Sequence, residues 1–426
     1  MGIINRTIRP AFQQITRIKI PEARWDHLDN TIPVILLEAG TQPVIRIEFI
    51  YKAGKWFEDA SGIAMATCSM LIEGTRTKHS QQISEELDSL GAFLSPFIEA
   101  DRAGLVLYCL SRNFSRVLAL TADLLNNSIF PKEELDIYLR KSKEQLLINQ
   151  EQVSYLGRKG LLKIIFGPEH PYGRPVEPED YDQIHHPLLI NYHEQYFQKG
   201  VPYILASGKW DFDLLKEVNL HFGNRSQSKK ETGKPVDFPV SNPKRNLLTI
   251  PKHGAVQSAL TIGKRVINLS HHDYNGLKIL TVLLGGYFGS RLMKNIREEK
   301  GYTYGISAHL VSMEHAGYLV ISSEVKSEVC KPAIQEVFFE LKRLREVAIE
   351  KKELDLVRNY LMGNWLSMFD GPFNQADSFR TLVDYDLNES YFTRSIKDLQ
   401  EITPERLQEL ANKYFQEESF VTVVAG

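Results

Sequence analysis

The sequence predicts an α+β protein built from two homologous repeats, each a mainly antiparallel β-sheet with helices packed on one face. The chain has 426 residues, which exceeds one average core and allows two to four domains. Both halves have the same order of patterns: a strand, two helices, two strands and long helices. Mixed elements in this order are typical of layered α+β domains. The simplest explanation is an internal duplication of about 200 residues.

A serine and a glycine mark the same position in both halves. Ser80 precedes Gly91 by eleven residues, and Ser290 precedes Gly301 by the same interval. Each interval has a helical polar–apolar pattern that ends at glycine, a residue that favours a helix C-terminus. The next strand opens in each half with an Ala-Gly pair: Ala103-Gly104 and Ala316-Gly317.

The periodicity of apolar residues places the elements. In the first half, strands are predicted at 43–54, 92–99 and 104–110, and helices at 62–73, 80–90, 113–127 and 133–150. In the second half, strands are predicted at 257–266, 303–311, 317–325 and 420–425, and helices at 272–284, 290–299, 332–349 and 352–366.

A polar segment separates the halves. Residues 224–243 contain three prolines and lack apolar periodicity, so they are interpreted as a linker. The domains predicted on either side are residues 1–223 and 244–426.

Composition excludes several classes of function. The formal net charge is −2, from 51 basic and 53 acidic residues, which provides no clustered basic face for nucleic acid. Apolar runs are too short to span a bilayer, and the polar start lacks a secretory signal, so no membrane association is expected. The three cysteines, Cys68, Cys109 and Cys330, form no framework and predict buried thiols in a reducing compartment. A cytoplasmic location follows.

The segment 62–75 (GIAMATCSMLIEGT) resembles a motif of the pitrilysin-type M16 zinc peptidases, Gly-x-Ala-His-x-x-Glu-His-Met-x-x-x-Gly-Thr. In that motif the two histidines bind zinc from one helix face, and the glutamate acts as general base. Here these positions hold Met65, Cys68 and Ser69. They cannot replace the zinc site as a set, and a buried helix face is the simplest interpretation. A Cys68 nucleophile lacks a basic neighbour in the sequence.

The resemblance also locates a third metal ligand, a glutamate about 75 residues downstream in the family. That spacing points to Glu144 or Gln145, and the family-like stretch 166–173 favours Gln145. One carboxylate does not make a site in either case, so no metal is expected in this chain.

The segment 285–304 (GGYFGSRLMKNIREEKGYTY) is similar to the C-terminal repeat of the same family. The resemblance implies that Arg297 and Tyr304, seven residues apart, reach into the zinc site of another half or subunit. There a phenol and a guanidinium would stabilise negative charge on the scissile carbonyl. Without the resemblance, Arg297 would be a solvated helix-end cation and Tyr304 a half-buried strand aromatic.

Arg291 is a weaker candidate for substrate binding. It either orients the site or pairs with a carboxylate, and the sequence does not choose between these roles.

The resemblance covers the chain from about residue 25 onwards and implies the LuxS/MPP-like metallohydrolase fold. It further implies the non-catalytic, substrate-binding subunit of a heterodimeric M16 zinc endopeptidase that encloses peptides in a chamber and is inactive alone. The expected partner is a catalytic M16 subunit that bears H-x-x-E-H and the zinc. The alternatives are an inert peptide-binding or scaffold protein of the same fold and an active peptidase with an unusual metal site.

Overall fold

The computed structural model describes residues 15, 17–224 and 247–426. The first half contains a six-stranded sheet in the order β1-β2-β6-β3-β5-β4. Its strands are β1 Arg24–His27, β2 Pro33–Glu38, β3 Val44–Tyr51, β4 Phe93–Ile98, β5 Ala103–Leu110 and β6 Tyr203–Gly208. Strands β2 and β6 run parallel, and all other neighbours are antiparallel.

The second half contains a five-stranded sheet in the order β7-β11-β8-β10-β9. Its strands are β7 Leu247–Ile250, β8 Gln257–Val266, β9 Ile306–Ser312, β10 Gly317–Lys326 and β11 Val421–Ala425. Strands β7 and β11 run parallel, and the other pairs are antiparallel. This order repeats β2-β6-β3-β5-β4 of the first sheet strand for strand, which confirms the two predicted repeats.

Fourteen α-helices surround the sheets in the described ranges. Those of the first half are α1 Ile63–Met70, α2 Ser80–Ser89, α3 Phe114–Asn127, α4 Lys132–Gln150, α5 Val153–Phe166, α6 Asp180–Gln183, α7 His186–His193 and α8 Leu214–Phe222. Those of the second half are α9 Tyr274–Thr281, α10 Cys330–Glu346, α11 Lys351–Met368, α12 Gly371–Asp384, α13 Ser390–Glu401 and α14 Pro404–Tyr414. None of them combines the length and apolar character needed to cross a bilayer.

Most predicted elements are present, but the segment around Tyr304 differs. The predicted helix 290–299 is helical, and it is wound as a π-helix over Met293–Glu299. The strand predicted at 303–311 begins only at Ile306, so the prediction that Tyr304 starts a strand was wrong. Tyr304 lies in the loop before β9.

The glycines that follow the matching helices of the two halves, Gly91 and Gly301, have the same backbone conformation. Gly91 has φ 59° and Gly301 has φ 65°, the left-handed conformation expected after a helix. A Cβ atom at Gly104 would lie 1.9 Å from the carbonyl oxygen of Phe49. A Cβ atom at Gly317 would lie 2.2 Å from the carbonyl oxygen of Ile267. Both halves therefore require glycine where the second strand of the hairpin begins, because the neighbouring backbone leaves no room for a Cβ atom.

The two halves exchange a helix, which the sequence analysis did not predict. Helix α5 packs on β8 and β11 of the second sheet, where Gly157 closely approaches Thr261. Helix α12 packs in return on β2 and β6, and its Phe379 joins Leu205 in one apolar cluster. Each sheet thus carries helices of its own half on one face and receives a helix of the other half on the opposite face.

Ion pairs connect α12 to the first sheet, and in them Arg46 and Glu48 are buried and Arg380 is mostly buried, whereas the Asp377 and Glu99 side chains are 59% and 51% exposed. Arg380 lies 3.3 Å from Glu48 and 2.7 Å from Glu99, and Arg46 lies 2.7 Å from Asp377. Removing one partner of such a pair leaves a buried charge uncompensated. The predicted linker lies outside the described residues except for residue 224, so the domain boundary stays a prediction.

Candidate functional site

Helix α1 carries the zinc-motif positions and is anchored at its N-terminus. The Glu58 carboxylate accepts hydrogen bonds from the backbone N–H groups of Gly62 (3.1 Å) and Ala64 (3.3 Å). Burial raises the pKa of Glu58, although Arg174, at 3.6 Å, acts in the opposite direction. Glu58 therefore stabilises the start of α1 through its helix-capping bonds.

Cys68 occupies the general-base position and points into the core. It is 1% exposed, and its Sγ donates to the carbonyl oxygens of Phe97 (3.1 Å) and Gly104 (3.5 Å). Burial raises the pKa of the thiol to about 12. At this pKa the thiol is protonated at neutral pH, and a protonated, buried thiol is a poor nucleophile.

The other motif positions are half-buried or exposed. Met65 and Ser69 are half-buried on α1, and Ser69 is hydrogen-bonded to Tyr138 of α4. Gln145 is exposed and donates to Asn149 (3.1 Å). Because Gln145 lies seven residues after Tyr138, it shares that helix face, whereas Glu144 lies off it. This spacing favours Gln145 as the third-ligand position, and the assignment stays a prediction.

These donors do not fit zinc. The four positions offer a thioether, a protonated thiol, a hydroxyl and an amide in place of imidazoles and carboxylates. Zinc sites in proteins use thiolate, imidazole or carboxylate ligands. Helix α1 instead buries most of its residues, Cys68 among them, in the core.

Arg297 lies near the end of the π-helical segment. Its guanidinium lies over the ring of Phe288, with 4.5 Å between Cζ and the ring centroid. Phe288 itself is 64% exposed. The π winding appears in the bond from Lys300 N–H to the Asn295 carbonyl, five residues back (3.0 Å). Such segments occur frequently at functional sites.

Tyr304 is 93% exposed on a braced loop. The Thr303 hydroxyl donates to the carbonyl oxygens of Gly305 (2.9 Å) and Glu324 (2.8 Å). Ser323 of β10 donates in turn to the Thr303 oxygen (2.9 Å). The backbone on both sides of Tyr304 is held while its phenol extends into solvent, an arrangement that burial energetics alone does not explain.

Arg291 makes its side-chain contacts with helix α11. Its guanidinium makes two hydrogen bonds to the Glu353 carboxylate of α11, at 2.9 and 2.8 Å. Pairing with a carboxylate, one of the two roles the sequence left open, is the contact observed. Substrate binding by Arg291 stays a prediction.

A groove of about 660 Å³ lies between the α4–α5 turn and the second sheet. Asn149, the partner of Gln145, lines one part of it, and Ser323, which braces the Tyr304 loop, lines another. Tyr155 and Arg158 of α5 also line the groove. No pattern in the sequence marks these two residues, because only the exchange of α5 brings them to the second sheet.

Within the part of the chain that the structure describes, two groups bring potential ligand atoms within 4.8 Å of one another: His271, His272 and Asp273, and Asp101, Glu314 and His315. Neither contains a zinc-motif position. In the second group, Asp101 accepts hydrogen bonds from the Tyr172 hydroxyl and the Glu314 N–H (2.9 Å). The bond from Glu314 connects the second half to Asp101 of the first, so the group forms part of the contact between the halves.

Models of one protein family match two segments of the chain, which together cover most of both halves. The family model described as "Insulinase (Peptidase family M16)" matches residues 34–164, and "Peptidase M16 inactive domain" matches residues 184–361. An uncharacterized zinc protease, YmxG, of Bacillus subtilis is 23% identical over 86% of this chain and 89% of its own length. A similar protein of Rickettsia bellii is 22% identical over 79% of this chain and 81% of its own length.

Solved structures share the fold. A peptidase M16 inactive domain from Pseudomonas fluorescens matches with a TM-score of 0.85 and 22% identity, over 95% of this chain and 98% of that one. A protease from Helicobacter pylori matches with a TM-score of 0.87 and 17% identity, over 96% and 100%. The chain belongs to the peptidase M16 family, and it lacks the H-x-x-E-H sequence at the motif position of its α1 helix.

Proposed function

We propose that this chain is the non-catalytic, substrate-binding subunit of a heterodimeric zinc endopeptidase that cleaves peptides in an enclosed chamber. It donates Arg297 and Tyr304 to the zinc site of a catalytic M16 partner that bears H-x-x-E-H. The observation that carries the proposal is the contrast between a buried α1 without metal ligands and an exposed Tyr304 on a braced loop.

The proposed role of the pair follows from the charge that develops during peptide hydrolysis. Negative charge builds on the scissile carbonyl oxygen, and donors fixed at that place lower the barrier in a site that excludes water. The Tyr304 hydroxyl provides one donor. Arg297 provides a planar fork of donors and is held against Phe288 before any substrate binds. This packing reduces the entropy lost when the guanidinium binds the substrate.

The proposal assigns the hydrolytic metal to the partner. The protonated Cys68 thiol and the side chains of Met65, Ser69 and Gln145 leave this chain without a ligand set for zinc. The groove that runs from Asn149 to Ser323 offers room for an extended peptide segment beside the Tyr304 loop. We infer a cytoplasmic location from the sequence alone.

Co-expression tests the proposal. The chain is produced with and without an H-x-x-E-H homologue from the same cell, and zinc content and cleavage of a quenched fluorescent peptide are measured. We expect neither zinc nor cleavage for the chain alone. The complex should contain about one zinc per heterodimer and cleave the peptide.

Two results would contradict the proposal. One tightly bound zinc together with cleavage by the isolated chain would mean that the chain is itself an active peptidase. Failure to recover any H-x-x-E-H homologue with the chain would favour the second candidate, an inert peptide-binding or scaffold protein. That candidate has a specific argument: the same fold occurs in a chain of Complex III2 from Candida albicans, with a TM-score of 0.77 and 14% identity over 95% of both chains.

A further inference from the structure

Residues 287–290, the Phe288 loop, directly follow the π-helical segment Val282–Gly286. Phe288 is 64% exposed in this loop, and the guanidinium of Arg297 lies over its ring, with 4.5 Å between Cζ and the ring centroid. An arginine stacked on an aromatic face takes its orientation from that ring. The position of the Phe288 loop therefore influences where the donors of Arg297 point.

Helix α11 contacts the N-terminal end of the loop through Tyr360. The Tyr360 ring stacks on that of Tyr287, with the ring centroids 5.3 Å apart and an interplanar angle of 30°. The Tyr360 hydroxyl donates to the carbonyl oxygen of Gly286 (3.4 Å). The Tyr287 ring also packs closely over the loop, since a Cβ atom at Gly289 would lie 2.9 Å from it. Tyr360 thus holds the first residue of the loop and the residue before it.

Arg291 holds the other end of the loop. Its guanidinium forms the bidentate pair with Glu353 of α11 (2.9 and 2.8 Å), and the two side chains are 9% and 23% exposed. Bidentate pairs between arginine and a carboxylate fix orientation as well as distance. Glu353 and Tyr360 are seven residues apart on α11, which places them two turns apart on one helix face. One face of α11 therefore holds the chain on both sides of Phe288.

Core packing does not explain why the loop is held in this way. A phenylalanine that is mostly exposed gains little from the hydrophobic effect. The glycine that follows it, Gly289, adds backbone freedom that the contacts with α11 must offset. A fixed loop does matter for the chemistry proposed for Arg297, because a misplacement of about 1 Å can lower a reaction rate by about 100-fold.

We propose that Arg291, Glu353 and Tyr360 are positioning residues, which hold the Phe288 loop so that its ring directs Arg297 into the zinc site of the catalytic partner. This inference rests on the proposed function, since it concerns the same arginine. The two roles that the sequence left open for Arg291 are then one role. By pairing with a carboxylate, Arg291 orients the site.

A double-mutant cycle in the zinc-containing heterodimer tests the inference. Tyr360→Leu and Arg297→Ala are made singly and together, and steady-state cleavage of a quenched fluorescent peptide gives kcat and KM. We expect Tyr360→Leu to lower kcat by about tenfold and to leave KM within about twofold, since the oriented donor acts in the transition state. In the Arg297→Ala background the same substitution should change kcat by less than about twofold, because the residue to be oriented is missing.

Three further variants separate positioning from folding. Tyr360→Phe keeps the stacked ring and should recover most of the kcat lost in Tyr360→Leu. Arg291→Lys keeps the charge beside Glu353 but loses the bidentate geometry, so it should fold and lower kcat by about fivefold. Leu366→Ala changes another exposed residue of α11 (50% exposed) and should leave kcat within about twofold.

The isolated chain provides a second readout that needs no partner. The order parameter of the Arg297 Nε–H group is measured by NMR, and its signal is assigned by its loss in Arg297→Ala. We expect the order parameter to fall by at least a third in Tyr360→Leu and in Arg291→Lys, and to stay unchanged in Leu366→Ala.

The outcomes distinguish this inference from the proposed function. An unchanged order parameter in Tyr360→Leu overturns the inference alone. So does a loss of kcat from Tyr360→Leu that is equally large with and without Arg297, or wild-type kcat in both Tyr360→Leu and Arg291→Lys. Full activity of the Arg297→Ala heterodimer would instead overturn the proposed function, and this inference with it.

Discussion

The two halves share one structural frame, a helix followed by a left-handed glycine and a β-strand, but they place different side chains at equivalent positions of it. In the first half, α2 ends two residues before Gly91, and Leu87 and Leu94 lie where the second half has Arg297 and Tyr304. Leu94 is 7% exposed, whereas Tyr304 is 93% exposed. The first-half segment is a regular α-helix, and its counterpart is π-wound over Met293–Glu299. At equivalent positions the two halves thus place a buried leucine, Leu94, and an exposed tyrosine, Tyr304.

This difference shows which features of the frame are structural. The left-handed glycine after the helix and the close-approach glycine in the next strand are present in both halves, because the backbone path requires them. The side chains between them are free to differ. A polar side chain that replaces an apolar one within an unchanged frame is a better indicator of function than the frame itself.

The largest effect is expected for substitutions of Arg297 and Tyr304. In the zinc-containing heterodimer, Arg297→Ala and Tyr304→Phe should each lower kcat by about 100-fold, since each removes a donor to the developing oxyanion. Steady-state cleavage of a fluorescent peptide measures this effect. The neighbouring Tyr302→Phe and the first-half counterpart Leu87→Ala serve as controls and should leave kcat within about twofold. Equal losses in the controls would mean that the two halves do not differ in function at this position.

The next effect concerns the motif helix. Cys68→Glu restores the family's general base in sequence, but it places a carboxyl group at a position that is 1% exposed. We expect it to lower the free energy of unfolding by about 3–5 kcal/mol, because the charge has no buried partner there. Cys68→Ala should cost about 1–2 kcal/mol. Urea denaturation compares the two, and a Cys68→Glu chain as stable as wild type would show that α1 still accommodates a catalytic carboxylate.

A pH-dependent effect is expected at the joint between the halves. Burial lowers the pKa of His170 from 6.5 to about 4, helped by Arg265 of the second half. Its Nδ1 accepts a hydrogen bond from the Tyr172 N–H (3.0 Å), which requires the neutral ring. The unfolded chain binds a proton below pH 6.5 that the folded chain does not bind until about pH 4. The free energy of unfolding should therefore fall by about 3 kcal/mol as the pH drops through this window.

His170→Asn isolates this contribution. The asparagine retains an acceptor for the Tyr172 N–H but does not titrate, so the free energy of unfolding should depend less steeply on pH between these two values. Chemical denaturation at a series of pH values measures the slope. An unchanged slope in the variant would assign the pH dependence to other groups.

The smallest effect is expected for the two glycines with positive φ that follow the matching helices. Gly91→Ala and Gly301→Ala should each destabilise the chain by about 1 kcal/mol, because alanine is strained at positive φ and no neighbouring atom lies within 4 Å of the new methyl group. Gly305→Ala, which is open on all sides and is not at positive φ, should be nearly neutral. Unequal costs at Gly91 and Gly301, measured by thermal denaturation, would mean that the two positions are not equivalent.

Local patterns made the repeats and several element boundaries predictable. The strand 257–266 was predicted residue for residue, since alternation of side chains is a property of neighbouring residues. Tyr304 was placed at the start of a strand because the β-like pattern of its surroundings does not distinguish a loop from a paired strand. Four elements that build the contact between the halves were not predicted: strands β2 and β6 and helices α5 and α12. Each of the two helices packs on the sheet of the other half.

The sequence by itself determined the duplication, the absence of zinc ligands at Met65, Cys68 and Ser69, and the spacing of Arg297 and Tyr304. These properties depend on residue type and on distance along the chain. Only the tertiary structure decided the exchange of α5 and α12 and the nearly full exposure of Tyr304. The physical reason is that burial and packing arise between residues far apart in sequence, where local periodicity carries no information.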